Sequence, residues 1–569
     1  MLTNKRSTFH TTLFSLSVWM LVSAMLPQYV RAENETPTDG GDTAVAAQAT
    51  SQQAVDTQVV DTQVSGNKAP VFEVREFRVS GNTLLNVKDV ERTLYRFLGQ
   101  EKVFADIEKA QHALEQRYHD AGFPAVLVDI PEQSISDGVV WLKVTESRVS
   151  TRRISGSRYY LPHVLAEQIS SLEPGNKLQI ATVQAEITQA STAFPERAIN
   201  PILRPGRTPG TVEVELKVED QLPLHGELEI NDRYGENTSR WRALGSVSYS
   251  NLWQRGHSLK IQYQTAPEKT EEVQVWSGTY LFRMPQSQSM VAIYAVDSNS
   301  NTATLGDLNI IGNGSIYGLR WITPWRDDET FNNSISLGLD YKNFAQIFQQ
   351  QGANSPEPPI DYVAFSVDFG RTQQSAQQTT SYRLSSGFGI RGLVNDAAKF
   401  EYKRHLSQPN YLFLRASVTH SRDLFAGTRL QLEMEGQWAN SPLISNEQYA
   451  AGGVDTVRGY HESQVLGDDA LRGRVEWLSP PLLAIRLGNK AAPAQGLIGL
   501  LFWDGAALHV QHPDVGQDAH TELSSVGLGL RMNKSTNWQA SLDWARALKA
   551  AGSVAKGDSR AHVSVRYTF

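Results

Sequence analysis

Alternation of apolar and polar residues, repeated from residue 224 to residue 569, constrains this chain more than any other feature. One segment begins at Arg429 and reads RLQLEMEGQW, in which Leu430 and every second residue after it are apolar or small. Successive side chains of an extended strand point to opposite faces, so each such segment has one apolar and one polar face. We predict sixteen strands of this kind, at 224–232, 241–250, 257–265, 273–282, 289–297, 314–323, 333–343, 361–370, 379–390, 408–419, 428–438, 470–478, 497–507, 525–532, 537–545 and 560–569.

The apolar faces of these strands favour a membrane over a soluble sheet. Most segments are close to the roughly 9 to 11 residues with which a tilted strand crosses a bilayer. Short turns alternate with longer connections, of which 439–469 is the longest, and this asymmetry is typical of outer-membrane barrels rather than of a soluble sandwich or propeller. Closure of the sheet removes its edges, places the apolar faces against lipid and leaves the polar faces around a wet lumen. We therefore predict a membrane β-barrel of sixteen antiparallel strands.

The N-terminus has the features of an export signal. Lys5 and Arg6 precede an apolar stretch over 13–26, and the tripeptide VRA that ends at Ala32 fits the small-x-small pattern of a signal-peptidase site. We predict a signal peptide over 1–32. An uncleaved membrane anchor is the alternative, although the apolar core is short for a span. The chain has no cysteine, which excludes disulfides and zinc–thiolate sites.

Three stretches of different character lie between this signal and the predicted barrel. Residues 33–69 are polar and lack aromatic residues, which indicates a linker with a short helix inside it. Residues 70–147 read as strand, helix, helix, strand, strand. Their helices are predicted to bury Val87, Val90, Leu94 and Phe97 on one face and Ile107, Ala110, Leu114 and Tyr118 on another. A weaker copy of the pattern over 148–220 predicts a second small α+β domain.

Two short motifs carry the functional signal. The connection 439–469 contains GGVDTVRGY, whose last four residues are Val457, Arg458, Gly459 and Tyr460. Two predicted strands later, the chain reads LFWDGA, with Phe502, Asp504 and Gly505. The motif VRGY is only four residues long and is weakly specific by itself. Its position in the sixth outer loop of a predicted sixteen-stranded barrel makes it a strong indication of function.

In these motifs the chain resembles the TpsB family of two-partner secretion, outer-membrane transporters that export large haemolysins, adhesins and related exoproteins. The segment YHDAGFPAVLVDIPEQSISDGVVWLKVTE also looks like the end of a first POTRA domain of this family. The resemblance implies a plug helix and linker over 33–69, POTRA domains at 70–147 and 148–220, and a barrel at 221–569 with the loop 439–469 folded into its lumen. It also implies that the POTRA domains are periplasmic and that they bind an unfolded partner exoprotein.

The same resemblance implies a role for particular residues. Arg458 of the loop is expected to pair with Asp504 of the barrel wall, because a guanidinium offers a rigid fork to a carboxylate and can latch a flexible loop inside a pore. The alternative is a solvated loop cation and an ordinary lumen-facing carboxylate. The last strand, which ends at Phe569, is expected to be the signal that the barrel assembly machinery binds.

Other classes of function have little support. A net charge of −7 predicts no nucleic-acid partner. The stretch GFGIRG ends a predicted strand with no helix after it, and the histidines lack zinc-helix spacing, so we predict no cofactor, no metal site and no enzyme. An insertase of the same superfamily is the nearest rival to an exporter, although insertases typically carry more POTRA domains. A passive porin and a structural or enzymatic outer-membrane protein are more distant rivals.

Overall fold

In the computed structural model, the structure describes residues 71–135, 137–194, 196–284, 287, 289–300, 302–305, 308–311, 313–326, 330–345, 359–485, 495–532 and 537–569. The predicted signal peptide and the predicted plug segment lie outside these residues. The described chain forms two compact units, one ending at Leu222 and the other beginning at Pro223. None of the helices within these ranges is both long enough and apolar enough to cross a bilayer.

The first domain is a three-stranded sheet covered by two helices. Its elements are β1 (Phe72–Val74), β2 (Glu76–Ser80), α1 (Val87–Leu94), β3 (Gly99–Lys102), α2 (Phe104–Asp120), β4 (Leu127–Asp129) and β5 (Val139–Thr145), with a 3-10 turn at Tyr95–Phe97. The central strand β5 runs parallel to β2 and antiparallel to β4, while β1 and β3 form a separate pair. The predicted face of α2 is confirmed, since Ile107, Ala110, Leu114 and Tyr118 are buried against the sheet.

The prediction is wrong for one residue of the α1 face. Val90 and Leu94 are buried, but Val87 is 64% exposed. The helix begins at Val87, directly after the cap residue Asn86, whose side chain accepts a hydrogen bond from Lys88 N. Val87 therefore lies outside the core, because the periodic pattern begins before the helix comes into contact with the sheet.

The second domain repeats this order. Its elements are β6 (Arg148–Ser155), α3 (Pro162–Gln168), α4 (Ile180–Ala193), β7 (Arg197–Pro205) and β8 (Thr211–Asp220), with a 3-10 turn at Ser170–Leu172. The central strand β8 is parallel to β6 and antiparallel to β7. Gly81 and Gly156 occupy matching places, since a Cβ on either would lie 2.2 or 2.3 Å from the carbonyl oxygen of Val144 or Val218. Both glycines have positive φ, so the two domains share one turn geometry as well as one topology.

The C-terminal unit consists almost entirely of strands. They are β9 (Leu224–Asn231), β10 (Arg242–Leu252), β11 (His257–Thr265), β12 (Gln274–Arg283), β13 (Met290–Ser298), β14 (Thr302–Leu305), β15 (Leu308–Ile311), β16 (Gly314–Arg326), β17 (Phe331–Phe344), β18 (Ile360–Gln374), β19 (Gln378–Gly389), β20 (Leu412–Asp423), β21 (Arg429–Ala439), β22 (Tyr449–Ala451), β23 (Val465–Gly467), β24 (Asp469–Ile485), β25 (Gln495–His509), β26 (His520–Met532), β27 (Trp538–Ala547) and β28 (Ser559–Thr568). A short helix, α5 (Ala397–Lys403), and a 3-10 turn at Phe425–Gly427 lie between strands.

Sixteen of these strands close into one barrel, as predicted. Each wall strand pairs antiparallel with its neighbours. The pairs β14–β15 and β22–β23 form separate two-stranded sheets that are not part of the wall. Alternation assigns the two faces: Met434 is 55% exposed on the outer surface, whereas Gln437 is 4% exposed on the inner one. The predicted strand 408–419 is displaced, since β20 begins only at Leu412, after Pro409 and the turn around it.

The barrel closes at a short seam between its first and last strands. The pairing of β9 with β28 covers five residue pairs, from Asn231 opposite Ser564 to Glu227 opposite Thr568. Beyond the pair of Asn231 and Ser564, Asp232 continues the contact, because its carboxylate accepts from Val563 N at 2.7 Å and its own N–H donates to Val563 O. The N-terminal part of β28 thus contacts the loop that follows β9 rather than β9 itself.

Candidate functional site

The connection between β21 and β24 folds back against the inner wall of the barrel. Its tip carries the VRGY motif, and Val457, Arg458 and Tyr460 have at most 1% of their surface exposed. The wall strands that the tip contacts are β24 to β28, which are consecutive in the barrel. The tip of the loop therefore lies against the inner face of these strands.

Arg458 donates to Asp504 through both arms of its guanidinium. The Nε–Oδ2 distance is 2.7 Å and the Nη2–Oδ1 distance is 2.8 Å, while the backbone N–H of Arg458 donates to Oδ2 at 3.1 Å. The side chain of Asp504 has no exposed surface. The structure thus places the two predicted residues in a bidentate pair that is shielded from water, the strongest form of this contact.

The pair belongs to a larger network of three arginines and three carboxylates. Arg458 Nη1 lies 2.7 Å from Glu476 Oε1 and 3.8 Å from Asp543. Arg474 donates to Asp504 at 3.0 Å, and Arg531 holds Asp543 with two hydrogen bonds of 2.8 and 2.7 Å. Each buried charge has a partner of opposite sign, which is the condition for tolerating charges away from water.

An aromatic ring completes the site of the arginine. The guanidinium carbon of Arg458 lies 3.4 Å from the ring centroid of Phe502. Phe502 in turn fits over Gly527, where a Cβ would lie 2.3 Å from the ring. Phe502 therefore supplies a flat surface that fixes the plane of the guanidinium. Gly505 has a different role, since Trp503 covers it on the outer surface and a Cβ there would lie 2.7 Å from the indole.

The backbone of the tip is held as closely as its side chains. Gly459 has φ of +92°, and its N–H donates to Nε2 of His562 at 3.0 Å. A Cβ on Gly459 would lie 3.3 Å from that of Ala545, so glycine suits both the conformation and the space. Tyr460 places its hydroxyl between the carbonyls of Ser524 and Lys549, at 3.0 and 2.7 Å.

The wall also binds the main chain of the loop just before the motif. Arg474 Nη2 donates to the carbonyls of Val454 and Thr456, at 2.7 and 3.2 Å. On the other side of the tip, Arg233 in the connection after β9 pairs with Asp455 at 2.6 Å. The tip is therefore fastened to the barrel at several points around Arg458.

The base of the loop has a separate anchor. Asp468, with no exposed surface, receives two hydrogen bonds from Arg404, at 2.6 and 2.7 Å, and one each from the N–H groups of Leu443 and Gln511. Arg404 immediately follows α5, so a neighbouring outer loop holds this base. Tip and base are thus fixed by two independent carboxylates.

The last predicted residue lies apart from this site. Phe569 pairs with Gly226 of β9 through two backbone hydrogen bonds, and the residue is 55% exposed. A Cβ on Gly226 would lie 2.1 Å from the ring of Phe569, so the ring packs across the glycine at the seam.

Sequence reasoning did not find Arg474, Glu476, Asp543 or His562. Each is a polar residue at a lumen-facing position of its strand, and many other polar residues of the barrel occupy such positions. Only the register between neighbouring strands brings these four close to Arg458. Glu476 reaches the site because it lies opposite Phe502 and two residues from Arg474, the residue opposite Asp504. Within the described ranges, no group of three or more His, Asp or Glu side chains is arranged to hold a metal ion.

Comparison with protein families gives two matches. Residues 210–532 match the model described as haemolysin secretion/activation protein ShlB/FhaC/HecB. Residues 72–147 match the model described as POTRA domain, ShlB-type. The first match covers more than half of the chain, and the second coincides with the first α+β domain.

Individual proteins are more distant. The outer membrane transporter CdiB of Dickeya dadantii (strain 3937) is 21% identical over 446 residues, which are 72% of this chain and 73% of that protein. The heme/hemopexin transporter protein HuxB of Haemophilus influenzae is 19% identical over 502 residues, 85% of this chain and 84% of that protein. The solved structure of CdiB from Escherichia coli superposes with a TM-score of 0.58 at 17% identity, covering 90% of this chain and 93% of that one, which shows a shared fold.

Proposed function

The chain belongs to the haemolysin secretion/activation family of outer-membrane transporters, and from this we propose that it exports a partner exoprotein through its barrel to the cell surface. The partner is a large secreted protein of the haemolysin, adhesin or toxin type, and it crosses unfolded. The periplasm supplies no nucleotide, so folding of the partner outside the cell provides the driving force. The protein acts as a conduit and performs no chemistry.

The observation that carries this proposal is the way in which the loop tip is fastened inside the lumen. Arg458 is bound to Asp504 and Glu476 by hydrogen bonds and ion pairs, which can break and form again without chemistry. The base of the loop keeps its own anchor at Asp468. We take Arg458 and Asp504 as the latch, with Val457, Gly459, Tyr460, Phe502 and Gly505 supporting it. Release of the tip would widen the lumen while the base stays in place.

A cavity beside the latch is consistent with a polar route. Its volume is about 490 Å³, and its lining includes Glu476, Arg531, Asp543, His562 and Arg566. Charges of both signs line this space, which suits the passage of an unfolded chain of mixed sequence better than the selection of one ion.

Capture of the partner is assigned to the periplasmic domains, 70–147 and 148–220. An extended segment of the partner would add a strand to an open sheet edge, since backbone pairing requires little sequence specificity. Residues 33–69 would plug the resting pore after removal of the signal peptide 1–32. The outer face of the barrel, 221–569, contacts outer-membrane lipid, and the last strand with Phe569 is bound by the barrel assembly machinery.

Export can be tested against the insertase alternative in one experiment. The chain is deleted and restored in cells that express a candidate partner, a large secreted protein of the haemolysin or adhesin type. We expect that protein in the medium only when the chain is present, with the amounts of other outer-membrane barrels unchanged. A general loss of other barrels on deletion would support an insertase, and secretion without the chain would exclude export. A passive porin would change small-solute uptake and leave secretion unaffected.

A further inference from the structure

The central strand of the first α+β domain has an incomplete neighbour. The pairing of β4 with β5 covers Leu127 opposite Thr145 to Asp129 opposite Lys143. If β4 continued, residue 131 would lie opposite Trp141, but this residue is Pro131, which has no N–H to donate. Among the described residues of this domain, no strand pairs with Trp141 on that side.

A side chain occupies the place of the missing strand. The amide of Gln133 accepts from Trp141 N at 2.7 Å and donates to Trp141 O at 2.8 Å. A primary amide carries one acceptor and one donor side by side, as a peptide group of a neighbouring strand does. Gln133 therefore satisfies both main-chain groups of Trp141 in the way that one residue of a paired strand would.

The second domain shows the same position with a complete strand. When the two domains are matched at Val144 and Val218, Trp141 corresponds to Glu215. Glu215 pairs with Ile202 of β7, and β7 pairs with β8 along its whole length from Arg197 to Pro205. The gap in the first domain is thus a departure from the fold that both domains share.

Side chains around the gap offer contacts to an added strand. Trp141 and Leu127 are 45% and 50% exposed on the outer face of the sheet. Arg78 on β2 lies over the indole of Trp141, at 5.5 Å from the ring centroid. An extended segment beside β5 would place alternate side chains on this face, next to the indole and the leucine.

We propose that the edge of β5 at Trp141 is the binding site for an extended segment of the exported protein, and that the Gln133 amide occupies this edge until the segment replaces it. The proposal rests on the export function above and names the edge at which capture occurs. Two hydrogen bonds break and two form in the exchange, so binding is weak and reversible, as a transporter requires of its cargo. The segment should have large apolar residues on one parity to contact Trp141 and Leu127.

The test uses the full-length protein in detergent and a fluorescent, end-blocked decapeptide of alternating valine and threonine. Gln133→Ala removes the competing amide, and we expect it to tighten peptide binding about tenfold, the factor that corresponds to about 1.4 kcal/mol. Gln133→Glu keeps the acceptor and loses the donor, so its affinity should lie between the two. The control is Gln116→Ala, which removes a glutamine that bonds Asp120 on the surface of α2 and should bind as the wild type does.

Two further peptides test backbone pairing on the wild-type protein itself. They carry N-methyl groups on the valines or on the threonines, and one of the two should fail to bind, because the donors facing β5 are then blocked. Equal affinity of all three peptides, or equal affinity of Gln133→Ala and wild type, would overturn the proposal. Peptide-independent dimers of Gln133→Ala in light scattering would also overturn it, by assigning the edge to a second copy. Export of the partner is measured in cells that express the wild type or Gln133→Ala. If the wild type exports its partner but the two proteins bind the peptide equally, only this binding site is rejected. If the wild type exports no partner, the proposed function is rejected.

Discussion

Arg458 replaces almost all of its contact with water by contact with carboxylates and an aromatic ring. Removing its side chain leaves Asp504 with Arg474 and the backbone N–H of residue 458, and it removes the 2.7 Å ion pair of Glu476 with Arg458. A buried group that loses its partner costs about 1 to 3 kcal/mol, which is comparable to the bias that holds one conformation of a two-state loop. We expect Arg458→Ala to reduce secreted partner per folded barrel strongly while the barrel still inserts. The measurement is partner in the medium, divided by heat-modifiable protein in the outer membrane.

Asp504→Ala should give a similar defect, and the double variant should be no worse than the worse single variant if both act through one contact. Arg326→Ala serves as the matched control, because Arg326 is an exposed arginine of the barrel whose Nε donates to Asn332 at 3.0 Å. Simple addition of the two single defects would mean that Arg458 acts mainly through Glu476 or Asp543.

Gly459 gives a prediction that involves no charge. Its φ of +92° is unfavourable for any residue with a Cβ, and that atom would press on Ala545. Gly459→Val should therefore move the tip away from His562 and raise single-channel conductance in planar bilayers. Gly516→Val is the control, since Gly516 also has positive φ but no atom lies within 4 Å of its Cβ position. Equal conductance of the two variants would show that the tip tolerates the added side chain.

What the sequence predicted at this scale depends on short motifs. Arg458 and Asp504 were identified because each lies in a short motif, VRGY or FWDG, that resembles a motif of the TpsB family. His562 was seen only as one polar residue of an alternating strand, and nothing in that strand indicates that it accepts from Gly459. Contacts across a barrel depend on register between strands that are far apart in sequence, and one strand's pattern does not contain that register.

At the scale of elements, period-two alternation predicted the barrel strands because one face of each meets lipid along its whole length. The pattern did not predict α5 or the hairpins β14–β15 and β22–β23, which lie in connections without that constraint. The alternation of Val126, Val128 and Ile130 indicates a longer strand than β4, which has only three residues. Pro131 ends that strand through a missing hydrogen-bond donor, not through a change in hydrophobic pattern.

The junction of the two α+β domains predicts a dependence on pH. Glu146, just after β5, accepts from Thr83 N at 2.5 Å and Leu84 N at 2.9 Å, and Lys177 of the second domain lies 2.6 Å from it. Burial acts to raise the pKa of Glu146, but the hydrogen bonds from Lys177 and Thr83 outweigh it and hold that pKa below its usual value. Its stabilisation is therefore complete above the ordinary carboxyl pKa of about 4.3 and is lost as pH falls through the lower folded-state value.

We expect Glu146→Gln to lower the free energy of unfolding of a 71–222 fragment by about 1 to 3 kcal/mol at pH 7. The loss should disappear at acid pH, where Glu146 of the wild type is protonated. Urea unfolding can be followed by the fluorescence of Trp141, the single tryptophan of this fragment. Glu132→Gln, at an exposed position in the same domain, is the control. A difference that persists unchanged below pH 3 would assign the effect to shape rather than charge.

For the whole molecule, separate hydrophobic cores predict separable parts. The first domain packs its own cluster around Leu114 and Leu142, and the barrel closes through its own backbone pairing. Deletion of residues 72–146 should therefore leave a folded, heat-modifiable barrel that does not secrete its partner. Secretion at the wild-type level by this variant would remove the capture role, and loss of the barrel itself would show that the parts depend on one another.

The short seam between β9 and β28 has a consequence for the order of assembly. Every other neighbouring pair in the wall is formed by strands that follow one another along the chain, apart from the inserted hairpins, whereas the hydrogen bond from Ser564 to Glu229 joins residues 335 positions apart. The entropy of loop closure grows with the length of the loop, and distant pairings form slowly. Fifteen of the sixteen strand pairings can thus form locally. The sheet remains open, with unpaired edges, until the ten-residue strand β28 pairs with β9. The rate of maturation is then set by this one encounter, so substitutions along β28 should act on how fast the barrel forms more than on how firmly the finished one holds.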